Sequence, residues 1–164
     1  MDTDQLRSLQ APLKEQYREQ PAAARITLRA DGKLGDGVTC SVQTGQALVR
    51  AGLHPATGGS GMELCSGDML LEALVACAGV TMQAVATSIG VAVTGTATAE
   101  GDLDFRGTLG VDRDAPVGFR SIRLRFDLDT DADEEKVAKL VQLTERYCVV
   151  LQTIRKSPPV AASL

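Results

Sequence analysis

The chain has no tryptophan, and its three Phe and two Tyr make up only 3% of 164 residues. That scarcity removes the stacking platforms on which single-strand nucleic-acid binders rely. A basic excess is missing as well. Seventeen Lys and Arg stand against 21 Asp and Glu, a formal charge of −4, whereas nucleic-acid binders carry a positive patch or stripe. No C-x-x-C pair occurs among Cys40, Cys65, Cys77 and Cys148, and the lone His54 cannot complete a zinc ligand set by local spacing. No metal site is expected. The N-terminus, MDTDQLRSLQAPLKEQ, has no apolar signal core and no transit-peptide character, so the cytoplasm is the expected compartment and the cysteines are expected to be free thiols. Internal repeats and low-complexity linkers are also missing.

What is present is the composition of an ordinary soluble domain, 44% apolar and 23% charged. Its length fits a single domain over residues 1–164. Residues 1–22 read as a helical extension: DQLRSLQAPLKEQYRE alternates charged and apolar groups at helical spacing, with Pro12 as a kink.

The organising stretch is SGDMLLEALVACAGVTMQAVATS, from Ser66 to Ser88. At helical period its polar positions Glu72, Gln83 and Thr87, with the small Ala76 and Gly79, trace one narrow stripe. Nearly everything else is apolar, which predicts a helix buried on most of its faces. A membrane span is the rival reading. Asp68 and Glu72 interrupt it early, and no uninterrupted run approaches the ~18 apolar residues a span wants. Gly90 reads as its C-terminal cap.

Around that helix the chain reads as strands and turns. ARITLRA (Ala24–Ala30) and GVTCSV (Gly37–Val42) are β-prone runs, and DGKLGD between them reads as a hairpin turn. Another strand is expected near 46–51, then a glycine-rich loop, HPATGGSGMELCSG. VAVTGTATAEGDL and SIRLRFDL read as strands; in the second, Ile122, Leu124, Phe126 and Leu128 face one way while Arg123, Arg125 and Asp127 face the other. DRDAPVGF is a turn-rich loop. A helix begins near Asp131–Asp133 and carries Val137, Leu140, Val141 and Thr144 on the face that leads to Cys148. A short helix, VVLQTIRK, follows, and VAASL is expected to close as an edge strand. The order predicts an α+β fold, helices packed on antiparallel sheet.

One cysteine stands in each of the two helices expected to be most buried, Cys77 and Cys148. Packed helices approach to about 8–10 Å between axes, close enough for facing cysteines to come within disulfide reach, which needs roughly 4.4–6.8 Å between Cα atoms. The plain reading is a pair of inert core thiols. The chemical reading needs a thiolate, and a cysteine in mid-helix draws little from its own helix dipole. A neighbouring cation would have to supply the rest. Arg29, Arg25 and Arg50 are the candidates. Cys40, Cys65 and His54 read as incidental, His54 at the surface.

SGDMLLEALVACAGVTMQAVA resembles the central-helix signature of the OsmC/Ohr family, the osmotically inducible protein C and organic hydroperoxide resistance proteins. The segment GDLDFRGTLGVDRDAPVGFRSIRLRFDLDTDADEEKVAKLVQLTERYCVVLQTI is similar to the remainder of that fold, and the likeness covers roughly residues 24–158. The resemblance implies antiparallel sheets wrapped around a long buried central helix in an intertwined homodimer. It also implies a thiol peroxidase that reduces organic hydroperoxides without a cofactor or metal. Cys77 matches the peroxidatic cysteine, Cys148 the resolving one, and the reductant in that family is a dithiol, commonly a lipoylated protein. Arg29 is favoured as the activating arginine. Two positions depart from the pattern: CSGDM stands where an Asn-Pro and a Glu are usual, with Asp68 the nearest match, and Val149 replaces the Pro that usually follows the second cysteine. Leu74, Met82 and Val149 are expected to line the pocket for the substrate's apolar tail. The alternatives are a binding protein for an apolar ligand on the same fold, or a redox sensor, neither with peroxidase turnover.

Overall fold

The computed structural model of the chain describes residues 2–5, 8, 10, 11, 19, 31–34, 39–44, 47–110 and 112–164. Residues 3–5, 8, 10, 11 and 19 are helical. The expected strand at 24–30 lies outside the described residues, as do Arg25 and Arg29. Contacts gather the chain into two compact units. One comprises Met1–Ile26, Ala73–Thr98 and Arg125–Leu164, the other Thr27–Glu72 and Ala99–Leu124.

In the second unit, β1 (Asp31–Leu34), β2 (Thr39–Thr44), β3 (Ala47–Gly52) and β4 (Leu64–Cys65) form one sheet in that order. Asp31 pairs with Gln43 and Leu34 with Cys40, so four of the six residues read as a turn are a strand, and the reversal falls later. Asp-Gly marks a turn only when the ladder does not claim it, and here β1 is antiparallel to β2 through Asp31 and Gly32. β2 and β3 are antiparallel, whereas the two-residue β4 runs parallel to β3, Ala51 to Leu64 and Gly52 to Cys65. A short 3-10 turn, Pro55–Thr57, lies in the expected loop.

Helix α1 spans Ser66–Ile89. It stops where expected: Gly90 takes φ +71°, its N–H donates to Thr87 O (3.3 Å), and the Val91 N–H donates to Ala86 O (2.9 Å). Those two bonds satisfy carbonyls that the helix end would otherwise leave open, the Schellman arrangement. Strands β5 (Thr94–Asp102) and β6 (Ser121–Asp129) form a second sheet. Gly95 abuts Asp127, and the Arg120 N–H donates to Asp102 O at 2.8 Å, which is the pairing order of an antiparallel ladder. β6 alternates exposed and half-buried residues along its whole length, as the sequence predicts. Between the strands lies a one-turn helix, α2 (Phe105–Thr108); the Asp104 side chain caps it by accepting the Arg106 N–H.

α3 (Glu134–Tyr147) is capped by Asp133, whose Oδ1 accepts the Lys136 N–H at 2.8 Å. α4 (Val149–Arg155) follows immediately. Residues 160–164 form no strand and are exposed, so the expected closing edge strand is absent. A five-residue tail with a single β-branched side chain has too little pairing to order it.

The core of the first unit is Met82, Val85, Ala86, Val93 and Leu140, with Val91, Phe126, Leu128, Val141 and Leu143 packed against it. α1 contributes Leu74, Ala78, Met82, Val85 and Ala86, spaced at three or four residues along one stripe. The opposite face is a departure from the expectation of burial on most sides: Ala73, Ala76 and Gln83 are exposed, and Val80 is 73% exposed. Small side chains dominate that face, so little apolar area is left uncovered per residue. By length and composition α1, with Asp68 and Glu72 its only charges, is long and apolar enough to cross a membrane, as the core helix of a globular protein can also be.

Candidate functional site

Two helix ends and the middle of a third helix bring Cys77 and Cys148 together. Cys77 follows Leu74 by one turn on the inward stripe of α1 and is partly accessible; Cys148 is fully buried. Cys148 terminates α3 and caps α4, with φ −70° and ψ 107°. Its N–H donates to Thr144 O (2.9 Å) and its carbonyl accepts the Gln152 N–H (3.0 Å), so the residue is held by both helices. Gln152 Nε2 donates to Glu145 O at 2.7 Å, and Arg155 meets Glu145 at 3.0 Å. These contacts tie α4 back to α3 and set the angle at which the thiol leaves the junction.

The electrostatics differ sharply between the two sulfurs. Burial pushes the Cys77 thiol up, but the Val150 N–H, the Cys148 thiol, the Thr81 hydroxyl and the Val149 N–H all bond to it, and together they leave it below the ordinary thiol value. Val149 and Val150 are in the first turn of α4, where backbone N–H groups have no partner inside the helix. Burial also dominates at Cys148; the Leu151 and Val150 N–H groups pull its value down, the Cys77 sulfur pushes it up, and the net is a raised thiol. The two thiols act on each other in opposite senses, Cys77 lowered and Cys148 raised, so the first proton to leave the pair comes more readily from Cys77.

The remaining expected site residues fall in several places. Arg29 lies outside the described residues, and the largest influences on Cys77 include no guanidinium of a described residue. Asp68 is exposed in the first turn of α1. Leu74 is fully buried and Met82 packs in the core, while the Val149 side chain is 70% exposed. Cavities of about 370, 60 and 320 Å³ are present, and none of the three is lined by Cys77 or Cys148. Cys40 occupies a β2 position paired with Leu34 and Ala51. Among the described residues no three metal-ligating side chains converge.

Sequence reasoning missed Thr81 and the α4 amides. Both had a signal. Thr81 stands four residues after Cys77, one helical turn, and a new helix starting right after Cys148 places free N–H groups beside its sulfur.

A long apolar helix bearing a thiol, met by the junction of two C-terminal helices that bears a second, with two small sheets, defines an α+β protein with a paired-thiol site. The chain belongs to the OsmC-like protein family, whose model matches residues 58–163. Among curated proteins none matches it in sequence. The fold is shared with solved structures at low identity. An OsmC-like protein from Mycoplasma pneumoniae superposes with a TM-score of 0.67 at 15% identity, over 80% of this chain and 89% of that one. The organic hydroperoxide resistance protein OsmC of Legionella pneumophila gives 0.60 at 16%, over 81% and 92%. The organic hydroperoxide resistance protein OhrB of Bacillus subtilis gives 0.51 at 18%, over 80% and 93%.

Proposed function

We propose that this protein is a two-cysteine peroxidase that reduces organic hydroperoxides to alcohols at the expense of a dithiol. The observation that carries the reading is the unequal pair: Cys77 lowered and partly accessible, Cys148 raised, buried and hydrogen-bonded to it. The thiolate, not the thiol, is the nucleophile, so the two roles divide themselves. The Cys77 thiolate attacks the outer peroxide oxygen; the O–O bond breaks and the alkoxide leaves, taking a proton to become the alcohol. Cys77 is now a sulfenic acid. Cys148 sulfur attacks it, the S–S bond forms, and the hydroxyl departs with the Cys148 proton as water. A dithiol, in this family commonly that of a lipoylated protein, restores both thiols by exchange. Arg29, Asp68 and the apolar residues Leu74, Met82 and Val149 keep their proposed parts in activating Cys77 and receiving the substrate's tail.

Homodimerisation goes with this reading. The exposed face of α1 around Ala76 and Val80 is apolar and small-residued, suited to close approach by a second copy. Residues 1–164 act as one domain in the cytoplasm, with 1–22 as an extension.

The purified chain should consume cumene hydroperoxide with a dithiol, and Cys77→Ser should not. Equal consumption by the two ends the proposal. With one equivalent of hydroperoxide and no reductant, the wild type should lose two hydrogens in mass through a Cys77–Cys148 bond. A second reading, an apolar-ligand binding protein with passive cysteines, draws on the lack of a described residue's guanidinium among the largest influences on Cys77. It expects no such mass change.

A further inference from the structure

The unit made of Thr27–Glu72 and Ala99–Leu124 contains a cavity that the thiol chemistry does not use. It measures about 320 Å³ and opens where the end of β3, the start of α1 and the loops flanking α2 meet. Its apolar walls are Leu53, Leu103, Phe105, Val117 and Phe119. Phe119 lies directly on a bare glycine: a Cβ at Gly101 would stand 2.4 Å from its ring. Cys65, half-buried, and Ser66 complete one side. Among the described residues the lining holds no Asp, Glu, Lys or Arg.

One polar side chain that lines this cavity is held in place. His54 Nδ1 accepts the Ala56 N–H at 3.0 Å, so the neutral ring carries its proton on Nε2. The imidazole is stacked on Phe105, centroids 5.0 Å apart and planes 24° apart. Nε2 has no hydrogen-bond partner among the described residues. The two threonine hydroxyls nearby are already committed, Thr57 to His54 O at 2.8 Å and Thr108 to Val117 O at 3.4 Å. A held N–H donor among apolar and aromatic walls is the usual make-up of a small-molecule site, and such sites start at about 300 Å³.

Each property selects the occupant. The volume suits a molecule of about one ring, since it stands at the lower end of the range for ligand sites. The aromatic walls favour a ring. An ion would be left without a counter-charge, at a cost no wall repays, so the ligand is neutral. The free donor asks for an acceptor. We infer that this cavity binds a small neutral aromatic carbonyl compound, its ring against Phe105 and Phe119 and its oxygen accepting the proton of His54 Nε2. The inference stands apart from the peroxidase reading, because neither Cys77 nor Cys148 lines the cavity.

The chain's single histidine makes the test direct, because its ring protons give an unambiguous magnetic-resonance signal. Acetophenone titrated into the full chain should shift the His54 ring signals saturably and slow alkylation of Cys65, mapped by peptide mass. Toluene, the same ring without the oxygen, should bind about three- to tenfold more weakly, the worth of one neutral hydrogen bond. Gly67→Ala places a methyl 3.4 Å from Phe119 Cζ and 3.6 Å from Cys65 Sγ, contacts the fold accommodates, and should weaken acetophenone binding by occupying its space. Val117→Phe, at a position 66% exposed, should do the same from the mouth without touching the core. His54→Asn retains an acceptor for the Ala56 N–H but loses the Nε2 donor, and should erase the preference for acetophenone over toluene in a calorimetric titration. Cys77→Ser should bind as the wild type does, which separates failure here from failure of the peroxidase proposal. The inference is overturned by the absence of a saturable shift, by binding unchanged in both cavity-filling variants, or by equal affinity for toluene and acetophenone in the wild type.

Discussion

Thr81→Val is the sharpest probe of how Cys77 is activated. Thr81 Oγ1 lies 2.7 Å from the Cys77 carbonyl oxygen, one turn back along α1, and the same hydroxyl bonds the Cys77 sulfur. A hydroxyl has one proton to give, so the two acceptors compete for it, and a thiolate is the stronger. Valine keeps the shape and removes the donor. A hydrogen bond to a charged group is worth about 1.5–3 kcal/mol, and one pKa unit corresponds to about 1.36 kcal/mol. Complete loss would therefore raise the Cys77 thiol by about one to two units, and sharing with the carbonyl puts the expectation at about one.

The sign follows from the lowered state. Alkylation of Cys77 by iodoacetamide rises with pH as the thiolate forms, with a midpoint below the ordinary thiol value in the wild type. In Thr81→Val the midpoint moves to higher pH, and the rate at a pH below both midpoints falls about tenfold, one pKa unit's worth of thiolate. Thr81→Ser should keep the wild-type midpoint. Because the Cys77 carbonyl retains its helical bond, unfolding free energy should change by no more than about 1 kcal/mol. An unmoved midpoint in Thr81→Val would mean that the α4 amides and Cys148 hold the sulfur by themselves. Equal shifts in the valine and serine variants would trace the effect to packing.

Two further substitutions test the frame that holds the site. Leu140 is fully buried in the core with Met82, Val85 and Ala86; Leu140→Ala should cost about 2–5 kcal/mol in urea unfolding, and a loss below that range would mean the core collapses around the gap. Gly95 has φ +132°, and a Cβ there would stand 2.0 Å from Asp127 O. Gly95→Ala should lose more than about 3 kcal/mol or fail to fold, because the neighbour is backbone and cannot swing away; native-like circular dichroism and melting would refute that close approach.

Some of this was legible in the residues because it is local. The limits of α1 follow from an apolar run that ends at Gly90, and only glycine takes the left-handed turn there without strain. β6 could be read from strict alternation, and the start of α3 from Asp133, since period and capping act within a few positions. The same local rules failed where pairing overrode them. DGKL carries turn residues and yet is β1, because β2 offers it a ladder. α1 is nearly all apolar and yet leaves Val80 exposed within this chain, because periodicity shows which residues can be buried and not how many partners arrive to bury them.

The chain by itself determined the longer helices, most of the strands, and that Cys77 and Cys148 would each face inward. It could not determine what the sulfurs face, since that depends on segments brought together only by packing. The tertiary structure decided that the N–H groups in the first turn of α4 act on the Cys77 sulfur, and that burial raises the Cys148 thiol while Cys77 is lowered. Val149 shows the difference most clearly. In the sequence it is an apolar residue where a proline is usual; in the fold it supplies an N–H to the Cys77 sulfur, which a proline has none to give.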